Sequence, residues 1–521
     1  MVGSADCGRL RTVQFHDLAV ASQSVAATSR RNEKVILLAE VLRRLDAPDI
    51  VPATAYLTGA TPSGRIGVGW STLADVRPDP MAHPTLSIGE VHDALVRLES
   101  LGGAGVAAAR RTLLDDLLGV MTPTEQRLLR GILGGELRQG AMDGVMTSAI
   151  AAAADVPVGL VRRAAMMAGD LNVASLAALT AGRAALEAID LVPMRPIQPM
   201  LASACPDVRT AVESMGRVQV DWKLDGVRVQ AHRVGAEVRL FTRNLNDITD
   251  RLPDVVDTVR GFAGGDLVLD GEAMGIMDDG SPHRFQDSMK RSTGLQAFFF
   301  DVLAIDGAPV HDRSLAERRQ LLASVVPGDA RLPSIVTDDP SEGEAFLAAA
   351  IAAGHEGVMI KDLTLPYEAG RRGKGWRKVK PVYTFDLVVL AVEWGSGRRR
   401  GWLSNIHLGA RDADQPGEFV MLGKTFKGMT DEMLRWQTAR FEELRTGEGP
   451  IGGRQAVSVR PEQVVEIAVD GVQRSTTYPG GVALRFARVV RYRNDKDSTQ
   501  IDTIADVRAM LDGPGASHGD G

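Results

Sequence analysis

The chain has 521 residues, 44% apolar and 24% charged, a balance that supplies several buried cores and excludes a disordered or fibrous protein. Sixty Lys+Arg against 66 Asp+Glu give a formal net charge of −6, so any contact with nucleic acid has to come from local basic clusters, not from a basic coat. Two cysteines, Cys7 and Cys205, exclude a disulfide framework and a four-cysteine zinc site and suit a reducing compartment.

The opening MVGSADCGRLRT lacks the apolar core of a secretory signal. The longest uncharged stretch, from Ile50 to Gly64, is interrupted by Pro52 and Pro62, so the expectation is a cytoplasmic protein with no membrane span. Residues 1–195 read as an all-α domain. Leu38, Val41, Leu42 and Leu45 recur at helical spacing, and SAIAAAADVPVGLVRRAAMMAGD and VASLAALTAGRAALEAI are rich in strong helix formers. Asp155 and Pro157 mark a break and a new helix start. Three prolines in PMRPIQP, 193–199, place a domain boundary there. Residues 196–383 change to short β runs (RVQVDWKLDGVRVQAHR, EVRLFTR, DLVLDGEAMG, AFFFDVLAIDG, EGVMIKD) with helical pieces between them, an α+β domain. Residues 384–507 carry β-branched runs with Gly-rich turns, which predicts a small β-barrel, and 508–521, ending GPGASHGDG, reads as a flexible tail.

The most informative stretch is Asp221-Trp222-Lys223-Leu224-Asp225-Gly226-Val227-Arg228. Val218, Val220 and Trp222 bring a strand up to Lys223, Asp-Gly allows a tight bend, and Val227 and Val229 continue as a strand beyond it. A lysine is a nucleophile only as the free amine, a form that desolvation or neighbouring cations favour. Alone, Lys-x-Asp-Gly is short enough to recur by chance. A second signal is the decapeptide RRGKGWRKVK, 371–380, with six cations and no acid. Lys378 and Lys380 alternate beside Trp376 and should share one face, suited to phosphates. Phe299 and Phe300 should lie on opposite faces of their strand.

In order along the chain, Lys223-Leu224-Asp225-Gly226 with Arg228, Phe241-Thr242-Arg243-Asn244, Leu269-Asp270-Gly271-Glu272, Phe298-Phe299-Phe300-Asp301, Glu356 to Lys361, Trp376 to Lys380 and Arg485-Phe486-Ala487-Arg488 resemble the motif series of the ATP-dependent DNA ligases, within the nucleotidyltransferases that carry AMP or GMP on a lysine. The resemblance covers nearly the whole chain. It implies a helical DNA-binding domain, an adenylation domain and a C-terminal OB-fold. It also implies that Lys223 takes AMP from ATP. Asp221, standing where the family often has Glu, is the expected acceptor of the adenine amino hydrogen. Arg228, Arg243, Arg372, Lys378, Lys380 and Arg485 are expected around the ribose and phosphates, and Phe300 over the base. Glu272 and Glu356 are expected to hold Mg²⁺, for which Mn²⁺ can substitute, with Glu272 also approaching the ribose. The partner implied is nicked double-stranded DNA, bound by a monomer. A sliding-clamp partner is not legible.

Further DNA-facing candidates are Arg398, Arg399, Arg400, Lys424 and Lys427; the cluster Arg485, Arg488, Arg491, Arg493 and Lys496 suits pyrophosphate in the first step, with Arg491 and Arg493 equally readable as ordinary exposed strand residues. GELRQGAMDG, 135–144, resembles part of the helical DNA-binding domain, whereas GRIGVG, 64–69, lacks the Lys-Ser/Thr ending of a phosphate loop. NAD-dependent ligases carry a four-cysteine zinc module that two cysteines cannot build. RNA ligases and capping enzymes share the lysine motifs but not the large helical region. A non-catalytic DNA clamp would not need the lysine, glutamates and phosphate cations together.

Overall fold

Stretches rich in Ala and Leu, with apolar residues three and four apart, fold as helices that each bury one stripe. The computed structural model describes residues 13–61, 66–103, 105–135, 137, 139, 143–277, 294–368, 372–415, 417–448 and 456–512. Ten helices, α1 (Phe15–Ala27) to α10 (Leu171–Glu187), fill the N-terminal part of the described residues. Leu38, Val41 and Leu42 are the buried stripe of α2 (Arg31–Leu42). Asp155, with φ of 53°, ends α8 (Asp143–Ala154), and Pro157 caps α9 (Val158–Ala168), so the break falls where the sequence placed it. Among the described residues no single helix is long and apolar enough to cross a membrane.

The middle region contains β1 (Leu201–Ala204), α11 (Val208–Met215), β2 (Val218–Lys223), β3 (Val227–Val234), β4 (Glu237–Thr242), α12 (Pro253–Arg260), β5 (Leu267–Gly275) and β6 (Leu295–Ile305). It continues through β7 (Ala308–Pro309), α13 (Leu315–Val325), β8 (Ser334–Thr337), α14 (Pro340–Ala352), β9 (Gly357–Asp362) and β10 (Arg372–Val379). These strands form two sheets, in the orders β1-β10-β9-β2-β8 and β4-β3-β5-β6-β7. Helices α11 and α14 cover one face of the first sheet, burying Val218, Val220, Val358, Ile360 and Val379. Helices α12 and α13 do the same for the second, over Val229, Leu269 and Phe299.

The two strands flanking the Asp-Gly bend do not pair with each other. β2 pairs with β8 and β9, and β3 with β4 and β5. Leu224 to Gly226 is therefore a crossover between sheets, and it sets Lys223 where the cleft between them opens. Gly226 passes so close to β5 that a Cβ there would lie 2.5 Å from the Ala273 carbonyl oxygen. Gly357, opposite Lys223, has φ of 143° and would place a Cβ 2.3 Å from the Val379 carbonyl oxygen, so neither position admits a side chain.

The C-terminal part is strand-rich. β11 (Tyr383–Trp394) pairs along one edge with β12 (Leu403–Arg411), which pairs with β13 (Phe419–Thr425). Its other edge is shared by two later strands, Val464–Val469 against its first half and Ala456–Val459 against its second. A last helix, Ile504–Asp512, buries Val507 and so crosses the tail boundary expected at 507/508. Residues 513–521 lie outside the described residues. Met166 and Met167 of α9 pack with Leu191, Met200, Tyr367 and Trp376, joining the helical part to the back of the cleft.

Candidate active site

Side chains alternate along a strand, so register decides what faces the cleft. Gln219 lies opposite Lys361, Asp221 opposite Met359 and Lys223 opposite Gly357, while Trp376 lies opposite Lys361 and Lys378 opposite Met359. Asp221, Lys223, Met359, Lys361, Trp376 and Lys378 thus share the cleft face, which Lys380 continues. Arg377 turns to the other side and donates to Ser214 Oγ at 2.6 Å. From the second sheet, Arg228, Asp270, Glu272 and Phe300 face them, while Phe299 is sealed in the core.

At the mouth, Lys223 Nζ donates to the Leu224 carbonyl at 3.2 Å and to Glu356 Oε2. The same Oε2 accepts from Lys380 Nζ at 2.5 Å, and Arg485 Nη2 stands 3.6 Å from Oε1. Burial alone would raise the Glu356 carboxyl, but Lys223 and Lys380 hold it down at about 2. Arg485, from Val482–Arg485 of the C-terminal part, also donates to Asp225 Oδ2 at 3.0 Å, closing the Lys-x-Asp-Gly segment under that part. The Gly226 N–H lies beside Glu272 and favours its ionised form. Burial raises its carboxyl to about 7 although Lys223 and Arg228 pull it down.

The closed end is sealed. Asp221 is fully buried; its Oδ1 accepts from Gln219 Nε2 at 2.6 Å and its Oδ2 pairs with Lys361 Nζ at 2.6 Å. That ammonium lies 4.3 Å from the Phe300 ring centroid and 4.4 Å from that of Trp376. Only Oδ1 accepts a hydrogen bond; Oδ2 has the Lys361 charge beside it but no hydrogen-bond donor, so the acceptor expected at Asp221 is not used up within the described residues. Arg228 clamps buried Asp270, Nε to Oδ1 at 3.0 Å and Nη2 to Oδ2 at 2.6 Å.

Other expected residues are dispersed. Arg243 is exposed in the turn after β4. Arg372 opens β10, and its side chain, like Arg371 and Lys374, lies outside what is described. Much of 135–144 and of 64–69 is also outside the described residues. The basic C-terminal cluster divides: Arg485 reaches the cleft, whereas Arg488 pairs with Asp470, Arg491 with Glu466, and Arg493 and Lys496 with Asp386. Lys424 pairs with Glu393 at 2.8 Å, Lys427 lies over Phe486, and Arg399 donates to the Phe426 carbonyl. Lys361, Asp270 and Tyr367 were not singled out from sequence. The period-two series Gly357, Met359, Lys361 signals that Lys361 faces the cleft; nothing local signals Tyr367.

Among the described residues no group of three or more His, Cys, Asp or Glu side chains could hold a metal. Mg²⁺ needs only one or two carboxylates beside phosphate oxygens and water. Glu272 fits that demand, since a carboxyl raised to about 7 is short of countercharge. Glu356 is already neutralised by two lysines.

Three family profiles match in order: "DNA ligase N terminus" over residues 74–151, "ATP dependent DNA ligase domain" over 199–380 and "ATP dependent DNA ligase C terminal region" over 399–496. A protein of Nocardioides sp. named "Probable DNA ligase" is 52% identical over 511 residues, covering 96% of this chain and 99% of its own. One of the same name from Mycolicibacterium gilvum is 50% identical over 508 residues, covering 95% and 99%. The solved structure "Pmar-Lig_PreS3" superposes with a TM-score of 0.61 over 91% of this chain and 99% of its own; at 19% identity the likeness is one of fold.

Proposed function

The chain belongs to the ATP-dependent DNA ligase family, and on that premise we propose that it seals 5′-phosphate/3′-hydroxyl nicks in duplex DNA through AMP carried on Lys223. The observation that carries this reading is the mouth of the cleft. One lysine amine stands at a sheet-to-sheet crossover, with Glu356, Lys380, Arg485 and Glu272 gathered about it.

In the first step the free amine of Lys223 attacks the α-phosphorus of ATP. A P–N bond forms, the bond from the α-phosphorus to the bridging oxygen breaks, and the proton shed by the nitrogen is taken up by the departing pyrophosphate. Glu356, at about 2, binds a proton poorly and serves to orient the amine. Lys378, Lys380 and Arg485 offset the charge gathering on the phosphates, roughly 3–4 kcal/mol for each well-placed donor. Phe300 stacks on the adenine, worth ~1–3 kcal/mol. Lys361 backs its ring and Asp221 balances Lys361. Arg228, Arg243 and Arg372 serve the ribose and phosphates, as the resemblance implies.

In the second step an oxygen of the nick 5′-phosphate attacks the same phosphorus and the P–N bond breaks, returning the amine. In the third the 3′-hydroxyl attacks the 5′-phosphate, a phosphodiester forms and AMP leaves. Positioning and fixed charge supply the catalysis. Mg²⁺, or Mn²⁺, would be held by Glu272, joined by Glu356 once Lys223 is bonded to phosphorus and no longer pairs with it. The ion would supply further charge neutralisation at the phosphates.

The chain would act as a monomer. Its helical part would grip the duplex backbone without reading sequence, so binding should weaken steeply with salt. The test is incubation with α-labelled ATP and Mg²⁺, then denaturing electrophoresis. Label should stay on the wild-type chain, vanish in Lys223→Ala and leave on addition of nicked duplex. A wild-type chain that retains no label sinks the reading.

A further inference from the structure

Resting on that nucleotidyl-transfer reading, we propose that Tyr367 is a positioning residue for Arg228, holding its guanidinium ready for the nucleotide through a closed ring of hydrogen bonds that ties the two sheets together.

The ring runs through four residues. The Met200 N–H donates to Tyr367 Oη at 3.0 Å, and the Tyr367 hydroxyl donates to Asp270 Oδ2 at 2.6 Å. Arg228 Nη2 donates to that same Oδ2 at 2.6 Å, and Arg228 Nη1 returns to the Met200 carbonyl at 2.7 Å. Arg228 and Asp270 belong to the second sheet; Met200 leads into β1 of the first, and Tyr367 comes from the connection between β9 and β10. The ring is thus a staple across the closed end of the cleft.

Tyr367 is itself fixed. It is 2% exposed, its ring stands edge-on to Trp376 at 5.8 Å, and the Arg318 guanidinium lies over it at 6.0 Å. Its backbone N–H donates to the His311 carbonyl at 2.8 Å. Arg228 in turn is flanked by Phe300 and Trp376, its Cζ 5.6 and 5.7 Å from their ring centroids. A guanidinium has five N–H donors in a fixed fork. Nη2 also donates to Tyr367 Oη at 3.3 Å, so Nε, both hydrogens of Nη2 and one of Nη1 are committed, and the second Nη1 hydrogen is left for a ligand, beside the aromatic ring proposed to carry the base. Without the phenol, Asp270 Oδ2 loses a donor and the Met200 N–H loses its acceptor, both in a sealed site, and the fork is free to turn.

The experiment measures lysyl-AMP formation against ATP concentration. Tyr367→Phe keeps the ring contacts and removes one oxygen. It should raise the KM for ATP about tenfold, leave the rate at saturating ATP within about twofold, and leave sealing by pre-adenylated enzyme unchanged. Arg228→Lys breaks the same ring and also removes a nucleotide contact, so it should raise the KM for ATP at least as far. Adding Tyr367→Phe to Arg228→Lys should raise KM no further, because both act on one unit. A KM rise that multiplies in the double variant, or a loss of rate with KM unmoved, overturns the proposal. If Tyr367→Phe does not fold by circular dichroism, Arg228→Lys alone must raise the KM for ATP, and its failure to do so is also decisive. Absence of label on wild-type protein would refute the lysyl-AMP reading instead. In that event equilibrium binding of ATP still reports on the ring, and unchanged affinity in Tyr367→Phe overturns it.

Discussion

The mouth of the cleft and its closed end use the same residue types in opposite ways. At the mouth partners are shared: Glu356 accepts from Lys223 and Lys380 and has Arg485 3.6 Å away, and Arg485 also serves Asp225. At the closed end each charge has its own partners: Asp270 is filled by Arg228 and Tyr367, and Asp221 is hydrogen-bonded by Gln219 with the Lys361 ammonium beside it. Shared, partly hydrated contacts can be exchanged at small cost when a bond forms at Lys223. Sealed pairs cannot, because a buried charge that loses its partner has no water to replace it. The molecule keeps its exchangeable electrostatics where chemistry is proposed and its fixed electrostatics where the slot must hold its shape.

The largest expected effect tests that contrast directly. Asp270→Ala strands the Arg228 guanidinium, and breaking a buried pair costs ~3–5 kcal/mol. In a region of this size that lowers the thermal midpoint by about 10 °C. Glu356→Ala, at the mouth, leaves Lys223 and Lys380, 21% and 17% exposed, whose long stems let their ammonium groups turn toward water, and should cost less. Calorimetry on the two variants side by side decides. Equal losses erase the distinction between the two ends.

What was legible beforehand follows the reach of each interaction along the chain. Helices and strands came through because their signals are local: the Leu38, Val41, Leu42 stripe, the Asp155–Pro157 break, and the alternation that sends Phe299 to the core and Phe300 to the cleft. The Lys223 bend was placed correctly, but apart from the local β3–β4 hairpin its strands pair with distant partners, Lys223 with Gly357 and Arg228 with Glu272, which no local pattern encodes. Tyr367 was invisible for the same reason, since its hydroxyl bonds to Met200 and Asp270, 167 and 97 residues distant. The basic C-terminal run was legible only in part, since Arg491 and Arg493 read equally well as ordinary strand residues. Its spacing suggested one patch, yet Asp386, Glu466 and Asp470, brought up by neighbouring strands, claim all but Arg485 of its arginines.

The next effect sharpens the role of the shared contacts. Arg485 and Asp225 are 27% and 30% exposed, so their pairing contributes only ~0–1 kcal/mol to stability. Arg485→Ala should therefore leave the unfolding midpoint nearly unmoved. It should slow lysyl-AMP formation by about 100-fold through loss of a donor to the departing phosphates. Rapid-quench measurement with labelled ATP tests this, and a large thermal shift with little change in rate would make Arg485 a structural tie.

The smallest effect, a slope against pH, separates the two glutamates. Glu272 is raised from 4.5 to about 7, so between those values the unfolded chain has released the proton that the folded chain keeps. The folded state then binds more protons, and stability falls as pH rises through that window, levelling off above it. Glu356, lowered from 4.5 to about 2, has the opposite sign: its contribution is complete above 4.5 and is lost as pH falls toward 2. Burial lowers His232, His311, His355 and His407, which slope the other way, so the reading is a difference: in urea unfolding at pH 5, 6 and 7, Glu272→Gln should gain stability relative to wild type as pH rises, and Glu356→Gln should not. If Glu272→Gln leaves the slope unchanged, Glu272 titrates as a solvated carboxylate. The shortage of countercharge that recommends it for Mg²⁺ then disappears, and Glu356, despite its lysines, becomes the carboxylate to test.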